Sequence, residues 1–339
     1  MIQCRQYEDR GAAACWGRPL VLMTVLLIAT YAVSHGARAA APSASYPSKP
    51  MRFIVPFTPG ALNDLLARLI GEQLSVRLGQ RVVVDNRPGA GTIVGSDLVA
   101  KSNPDGHTLL LSSAPLAINP SLQGNLPFDA VKDLAGVTLI GQLPFVLVGN
   151  PKSRITSIPE LVAAAKAKPG ELVYGATVAG QLMVELFKLD ARIDIALVPY
   201  KGLAPAVVDV MGGRIEFTLG THSTLGPQIK AGRLRALAVT SKSRMRTAPE
   251  IPTIAEAGYK GFDATTWYGV SVAGGTPKSL ISRLHHEVVG ILKQPEVEQR
   301  LLAEGIDVVA SSPDEFDRFL KADTARWARV IKQAGIKGE

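Results

Sequence analysis

The chain has 339 residues, 47% hydrophobic and 19% charged, with a formal net charge of +8. At roughly 150 residues per domain that length suggests two domains, and the composition is far from that of a disordered or collagen-like chain. Two cysteines exclude a disulfide framework or a cysteine-rich zinc module, and 6% aromatic residues argue against stacking platforms for single-stranded nucleic acid.

The first expected element is a signal. Pro19 to Val33 is an uncharged apolar run, preceded by Arg5, Arg10 and Arg18 and followed by Ala37-Arg38-Ala39. A positive n-region, an apolar stretch of about fifteen residues and an Ala-x-Ala exit mark a Sec-type signal peptide over residues 1–39. The run is shorter than the roughly 20 residues of a spanning helix, so an uncleaved anchor is the weaker alternative. The expectation is export to the periplasm as a chain starting near Ala40. Cleavage would remove both Cys4 and Cys15, leaving no thiol to manage in an oxidising compartment. Four arginines against Glu8 and Asp9 leave with the signal, so six net positive charges remain. They form no run of five like charges, which reads as ordinary surface charge and no nucleic-acid partner.

The mature chain alternates strands and helices. Arg52 to Phe57 is an apolar, β-branched strand, stopped by Thr58-Pro59-Gly60. A helix follows with Leu62, Leu65, Leu66, Leu69, Ile70 and Leu74 at helical spacing, ending at Gly79. Further strands are expected at Arg81–Asp85, Thr108–Ser112, Thr138–Gly141 and Phe145–Gly149, with a helix near Val94–Lys101. Ser157-Ile158-Pro159-Glu160 has capping-box spacing and heads a helix running to Lys168. Strands at Leu172–Ala176, Ile195–Pro199, Ile215–Leu219 and Leu234–Thr240 then alternate with helices near Gln181–Leu189, Ala204–Met211 and Leu225–Ala231. A short helix is expected after Ile251-Pro252-Thr253. The C-terminal region reads as helix, from Thr276-Pro277 through Leu292 and from the capping box Ser312-Pro313-Asp314-Glu315 onward, with one strand at Ile306–Ala310. This alternation predicts an α/β protein with mostly parallel sheets.

Several chemistry-bearing patterns were weighed. Gly89-Ala90-Gly91-Thr92-Ile93-Val94-Gly95 follows a strand, as a dinucleotide-binding turn would. However, Asn86-Arg87-Pro88 separates it from that strand, and the next strand ends without a ribose-binding acid. A glycine turn at a helix start is the better reading, and no cofactor is expected. No Gly-x-Ser-x-Gly elbow occurs. Of the mature chain's histidines, His285 and His286 are adjacent on a helix and cannot share a metal as an i, i+4 pair would. His107 sits in a turn, and His222 falls in a loop after Ile215–Leu219, so a secreted α/β hydrolase using His222 stays open as an alternative. No metal is expected.

The remaining candidates are loops at the carboxyl ends of strands, where open α/β sheets bind ligands. Phe57, Thr58, Gly60, Ala61, Asn63 and Asp64 join a strand to a helix start whose free N–H groups suit a carboxylate. There Asn63 or Asp64 either caps the helix or reaches the ligand. A second such loop holds Ala176, Thr177, Val178, Ala179, Gly180 and Gln181. Two facing seats of this kind would clasp a small organic acid.

Over Tyr46 to Gly335 the sequence resembles the Bug receptors, the solute-binding proteins of tripartite tricarboxylate transporters. The resemblance is carried by Tyr46-Pro47-Ser48-Lys49-Pro50, Val55-Pro56-Phe57-Thr58-Pro59-Gly60 and Val84-Asp85-Asn86-Arg87-Pro88-Gly89-Ala90-Gly91. Val198-Pro199-Tyr200-Lys201-Gly202 and Pro252-Thr253-Ile254-Ala255-Glu256-Ala257-Gly258 add to it.

The resemblance implies a type II-like periplasmic-binding-protein clamshell of two doubly wound α/β domains. Residues 46–144 with 268–339 would form one domain and 145–267 the other, with two crossovers near Leu143–Val148 and Thr266–Val270. It implies a monomeric receptor without catalysis, passing a small organic acid to membrane permease subunits; an orphan sensor for a signalling partner is a variant of that reading. The acid's carboxylate would be held by main-chain groups and water from the loops around Thr58–Asp64 and Ala176–Gln181. Ser112, Ser113, Ala114, Tyr200, Lys201, Gly220, Thr221 and His222 would complete the wall. Ala61 stands where the family usually has a second glycine, which would cost about 1 kcal/mol if that position needs positive φ. The second loop is short, with Gln181 in place of a usual His.

Overall fold

The structure, a computed structural model, describes residues 46–336, so the expected signal peptide lies outside the described residues. From Lys49 onward the chain forms one unit. β1 (Met51–Val55) pairs in parallel with β2 (Val82–Asn86) and β3 (Thr108–Ser113). Its MRFIV sequence is buried at every position but Arg52, as a strand covered on both faces requires. α1 (Leu62–Leu78) returns the chain from β1 to β2 and ends at Gly79, whose left-handed φ of 66° directs its N–H to the Ser75 carbonyl. Its buried face is Asn63, Asp64, Leu66, Ala67, Ile70, Gly71 and Leu74. Leu65, expected inside, is exposed instead, because the polar start of the helix turns inward.

A 3-10 turn at Ala90–Thr92 and α2 (Ile93–Ala100) follow β2. The glycine motif is spent here on packing: a Cβ at Gly95 would lie 2.8 Å from Pro56 Cβ, so its absence lets α2 approach the end of β1. α3 (Pro115–Leu122) lies where no element was expected; Pro115 occupies its first turn, where no N–H is missed.

β4 (Leu134–Gly149) is one strand of 16 residues where two were expected. Its residues 134–144 pair antiparallel with β9 (Thr265–Ala273), and residues 145–149 pair antiparallel with β7 (Phe217–Thr221). β8 (Arg235–Val239) also joins its second part, and β10 (Asp307–Val308, shorter than expected) joins its first. Beyond β7 lie β5 (Val173–Ala176) and β6 (Ala196–Pro199), both parallel. The order is β2-β1-β3-β9-β4-β7-β5-β6. The sheet is therefore parallel only in its two flanks, because β4 and β9 run against their neighbours in the middle. This corrects the expectation of mostly parallel pairing.

The helices of the second flank are α4 (Ile158–Ala167), α5 (Val178–Ala191), α6 (Leu203–Met211) and α7 (His222–Lys230). At α4, Ser157 Oγ accepts from Glu160 N as the capping-box spacing predicts, but Glu160 Oε2 reaches Thr156 N at 2.6 Å, one residue earlier than expected. After Thr253 there is a turn rather than a helix; Thr253 and Glu256 bond each other's backbone N–H groups without propagating.

α8 (Lys278–Leu292), α9 (Pro295–Ala303) and α10 (Pro313–Ala334) close the described chain. At α10 the predicted capping box is complete: Ser312 and Glu315 satisfy each other's backbone N–H. Phe316 fills a slot that two glycines leave open. A Cβ on Gly136 would lie 2.7 Å from its ring, and one on Gly269 would overlap it. The Trp267 ring stands edge-on to Phe316 and to Phe319 at 5.6 Å each. Trp267 Nε1 donates to buried Asp323 at 2.8 Å, and Arg326 pairs with Asp323 while donating to the Asp263 carbonyl. α10 thus grips β4, β9 and the segment entering β9. Phe316→Ala should lower the free energy of unfolding by about 3–5 kcal/mol in a denaturant titration, since neither glycine can fill the hole.

Candidate functional site

The β1–α1 loop is shaped by one left-handed glycine and one buried acid. Gly60 has φ of +84°, whereas Ala61 sits at φ −75° and ψ 163°. The position that departs from the family's usual double glycine is thus extended backbone, which alanine adopts without strain. Asp64 is the third residue of α1 and only 3% exposed. Its Oδ2 accepts from Gly60 N at 3.0 Å and from Arg68 Nε at 2.9 Å, and its Oδ1 accepts from Asn86 Nδ2 at 3.0 Å. Asn86 Nδ2 also donates to the Phe57 carbonyl at 3.1 Å. Both ends of the loop are therefore tied down, one through each side chain. Arg68, bonded to Asp64, holds its carboxyl below the usual range against the opposing effect of burial, with Gly60 and Asn86 assisting.

This arrangement leaves a set of donors without acceptors. The N–H groups of Ala61, Leu62 and Asn63 open α1 and have no acceptor among the described residues. Asn63 adds a side chain: it is 7% exposed, yet its amide makes no hydrogen bond among the described residues. Asn86 and Asn119, by contrast, spend their amides on the carbonyls of Phe57 and Gly91. Thr58, Gly60 and Ala61 are exposed, and Phe57 is half-buried.

The second flank repeats the pattern. Thr177 is the N-cap residue of α5 in extended conformation without a side-chain bond, so Val178, Ala179 and Gly180 present N–H groups. Gly180 is buried with Ala176 and Leu219 packed 3.1–3.2 Å from where its Cβ would stand, which seats α5 against β5 and β7. Val178 is 66% exposed, and Gln181 is half-buried. Thr221 is the N-cap residue of α7, and its hydroxyl lies 3.1 Å from Ser223 Oγ and 2.9 Å from Thr224 Oγ1. His222, expected in a loop, is the first residue of α7. Its Nε2 lies 3.3 Å from where a Gly226 Cβ would stand, and it makes no hydrogen bond or ion pair among the described residues.

Other candidates point inward. Ser112 Oγ meets Ser271 Oγ at 2.7 Å between β3 and β9, and Ser113 and Ala114 are buried with it. The Tyr200 hydroxyl donates to Asp209 Oδ2 at 2.5 Å, and that bond raises its pKa. Lys201 is exposed beside it, and Gly220 has Leu203 pressed against its Cα. Arg68 and Asn86 escaped the sequence reading; the Asp64–Arg68 spacing of four on one helix was the available signal.

The registers bring these loops to one level. Ser113 of β3 lies opposite Tyr268, which lies opposite Gly141 of β4, and Thr221 of β7 lies opposite Phe145. The carboxyl ends of β1 and β3 thus approach the middle of β4 from one side, and those of β7, β5 and β6 approach it from the other. Among the described residues no group of three or more His, Cys, Asp or Glu could hold a metal, and no helix is long and apolar enough to cross a membrane.

Two sets of strand ends facing each other across a shared strand, together with the likeness to known proteins, define a solute-binding protein. The same fold, at TM-score 0.76 and 24% identity, occurs in a solute-binding protein from Polaromonas, covering 85% of this chain and 99% of that one. Residues 66–336 match the tripartite tricarboxylate transporter family receptors, and the chain belongs to that family. It is 39% identical to protein BugT of Bordetella pertussis over 322 residues, which is 93% of this chain and 99% of BugT. It is similar to R. palustris Rpa4515, solved with adipate, at 34% identity and TM-score 0.70, covering 87% and 100% of the two chains. It is also similar to MatC of Rhodopseudomonas palustris, solved with bound malate, at 26% identity and TM-score 0.65, covering 84% and 100%.

The two loop positions should differ in how much exchange costs them. Gly60→Ala forces a side chain into left-handed backbone and should cost about 1–2 kcal/mol, lowering the melting temperature. Ala61→Gly adds only unfolded-state freedom and should cost about 1 kcal/mol or less; differential scanning calorimetry of both separates them.

Proposed function

We propose that this receptor binds a small carboxylate-bearing molecule in a cleft over the middle of β4, between residues 46–144 with 268–339 as one lobe and residues 145–267 as the other. The observation that carries the reading is the open start of α1: the N–H groups of Ala61, Leu62 and Asn63 have no acceptor among the described residues, and the Asn63 side chain beside them is uncommitted. Backbone N–H groups at a helix start favour an anion through both hydrogen bonding and the helix dipole. The α5 and α7 starts supply the facing donors, so one acid touches both lobes only when they approach. Contacts made only in the closed form drive closure. Adipate in Rpa4515 and malate in MatC support the ligand class.

The wall then consists of the main chain from Phe57 to Asn63, the main chain from Ala176 to Gln181, and Thr221 with His222. Lys201 stands at its edge. Asp64, Ser112 and Tyr200 act beneath it rather than on the ligand. The protein is a monomer that acts without catalysis, cofactor or metal; His222 makes no hydrogen bond or ion pair among the described residues, whereas triad chemistry requires an acid that orients the imidazole. It is exported by cleavage after Ala39, and the closed form is what the permease subunits of a tripartite tricarboxylate transporter receive.

Thermal unfolding of residues 40–339 with dicarboxylates, tricarboxylates, acidic amino acids and aromatic acids tests the reading. An acid at 100 times its Kd adds about 2.7 kcal/mol, a shift of several degrees, and chromatography should recover it unchanged. Absence of a shift from every acid would sink the carboxylate assignment, and turnover would sink the receptor. N-terminal sequencing of protein recovered from the periplasm should begin at Ala40; a start at Met1 would leave the apolar run as an anchor.

A further inference from the structure

Asp64 poses a charge problem that the shape of its loop does not solve. The carboxylate is almost fully buried and adjoins Asn63, at the helix start where a bound acid would sit. Two anions at one poorly solvated place repel each other, and more strongly as closure excludes water. One cation answers it. Arg68, a turn further along α1, donates from Nε to Asp64 Oδ2 at 2.9 Å and from Nη2 to Asn86 Oδ1 at 3.4 Å, with about half its side chain in solvent.

The other charged groups on neighbouring elements are occupied elsewhere or do not act on this carboxyl. On β1, Arg52 binds Asp85 of β2 at 2.6 Å, and Arg87 binds the same acid at 2.9 Å. On α8, Glu287 faces Arg77, far along α1; Lys278, Arg283, His285 and His286 of that helix are not among the groups acting on Asp64. Those groups are Arg68, Gly60 and Asn86.

We propose that Arg68 is a charge-balancing residue of the binding site: it neutralises Asp64 so that the β1–α1 loop keeps its brace and still accepts an anion. This rests on the reading that the loop binds a carboxylate. The division of labour is specific. Asp64 supplies shape, through Gly60 N and Asn86; Arg68 supplies charge and touches no ligand. Losing Arg68 leaves the loop braced but puts an uncompensated anion beneath the ligand. Losing both charges together removes the repulsion.

The test is the Kd of adipate and of malate by isothermal titration, for the wild-type chain and Arg68→Gln, from pH 8 to pH 5. Taking the ratio of the two Kd values cancels the titration of the acid itself. At pH 8 the ratio should be roughly ten. In the wild-type chain Asp64 is held low by Arg68 and stays ionised across this window. In the variant the largest lowering influence is gone while burial remains, so the carboxyl takes up its proton at a higher pH than in the wild-type chain and the ratio should fall as pH is lowered. Adding Asp64→Asn to Arg68→Gln should recover most of the lost affinity at pH 8. Arg68→Lys keeps the charge and should stay within roughly threefold of wild type at every pH.

A ratio of one at pH 8 overturns the proposal. So does a double variant no better than Arg68→Gln, or a tenfold loss in Arg68→Lys, each of which makes the role one of shape. If Arg68→Gln does not fold, the double and lysine variants decide. A wild-type chain that binds no acid of any class removes the underlying reading and this one with it, whereas binding with the wrong ratios removes this one alone.

Discussion

Everything in this architecture depends on β4 changing partners midway. Over residues 134–144 it is hydrogen-bonded to β9, and over 145–149 to β7 and β8. The junctions β3–β9, β9–β4 and β4–β7 are all antiparallel, so the two parallel flanks run in opposite senses and their carboxyl ends meet instead of diverging. The handover is itself bonded: Phe145 N donates to Thr240 Oγ1, and Thr240 N donates to the Phe145 carbonyl. Beside it, Arg326 of α10 takes the Asp263 carbonyl just before β9 begins. Both passages of the chain between the flanks are therefore anchored at their ends, and the loops they present face one another by topology rather than by contact between the loops.

That placement explains why the site needs so few charged side chains. Helix starts supply N–H groups whatever the residues are, provided the loop path is fixed. The path at β1–α1 is fixed by buried Asp64 and half-buried Asn86, which bond one another, Arg68 and the backbone. The equivalent work under β5 falls to Glu185, which takes the Tyr174 hydroxyl and the Lys188 ammonium at 3.0 Å each. In both places a carboxylate anchored from below holds a helix whose first turn is left open above.

How much of this was legible follows from what each signal measures. Periodicity and capping chemistry report local preference, and they located β1, α1, α4 and α10 closely. Partner exchange within β4 is a tertiary event with no local mark, so Thr138–Gly141 and Phe145–Gly149 read as two strands. α3 was passed over although Pro115 sits in its first turn, the same signal that Pro159 gives at α4. The loop ends could be named from strand order, as could Asn63; which side chains turn inward could not. Asp64, Ser112 and Tyr200 were grouped with the ligand wall because sequence gives position along the chain and not direction. Each has spent its polar atoms on a partner far away, at Asn86, Ser271 or Asp209.

Ala61 shows why such a seat tolerates change. In a loop of two glycines only the one whose φ is positive is constrained, and here that is Gly60. The following residue is in extended backbone, which places no demand on its side chain. The same holds for Val178 at the start of α5, exposed and without packing duties. Substitution at these positions alters the walls without disturbing the donors, because the donors belong to the backbone and the backbone is held from beneath. A receptor built this way changes its ligand's shape requirements first and its preference for an anion last.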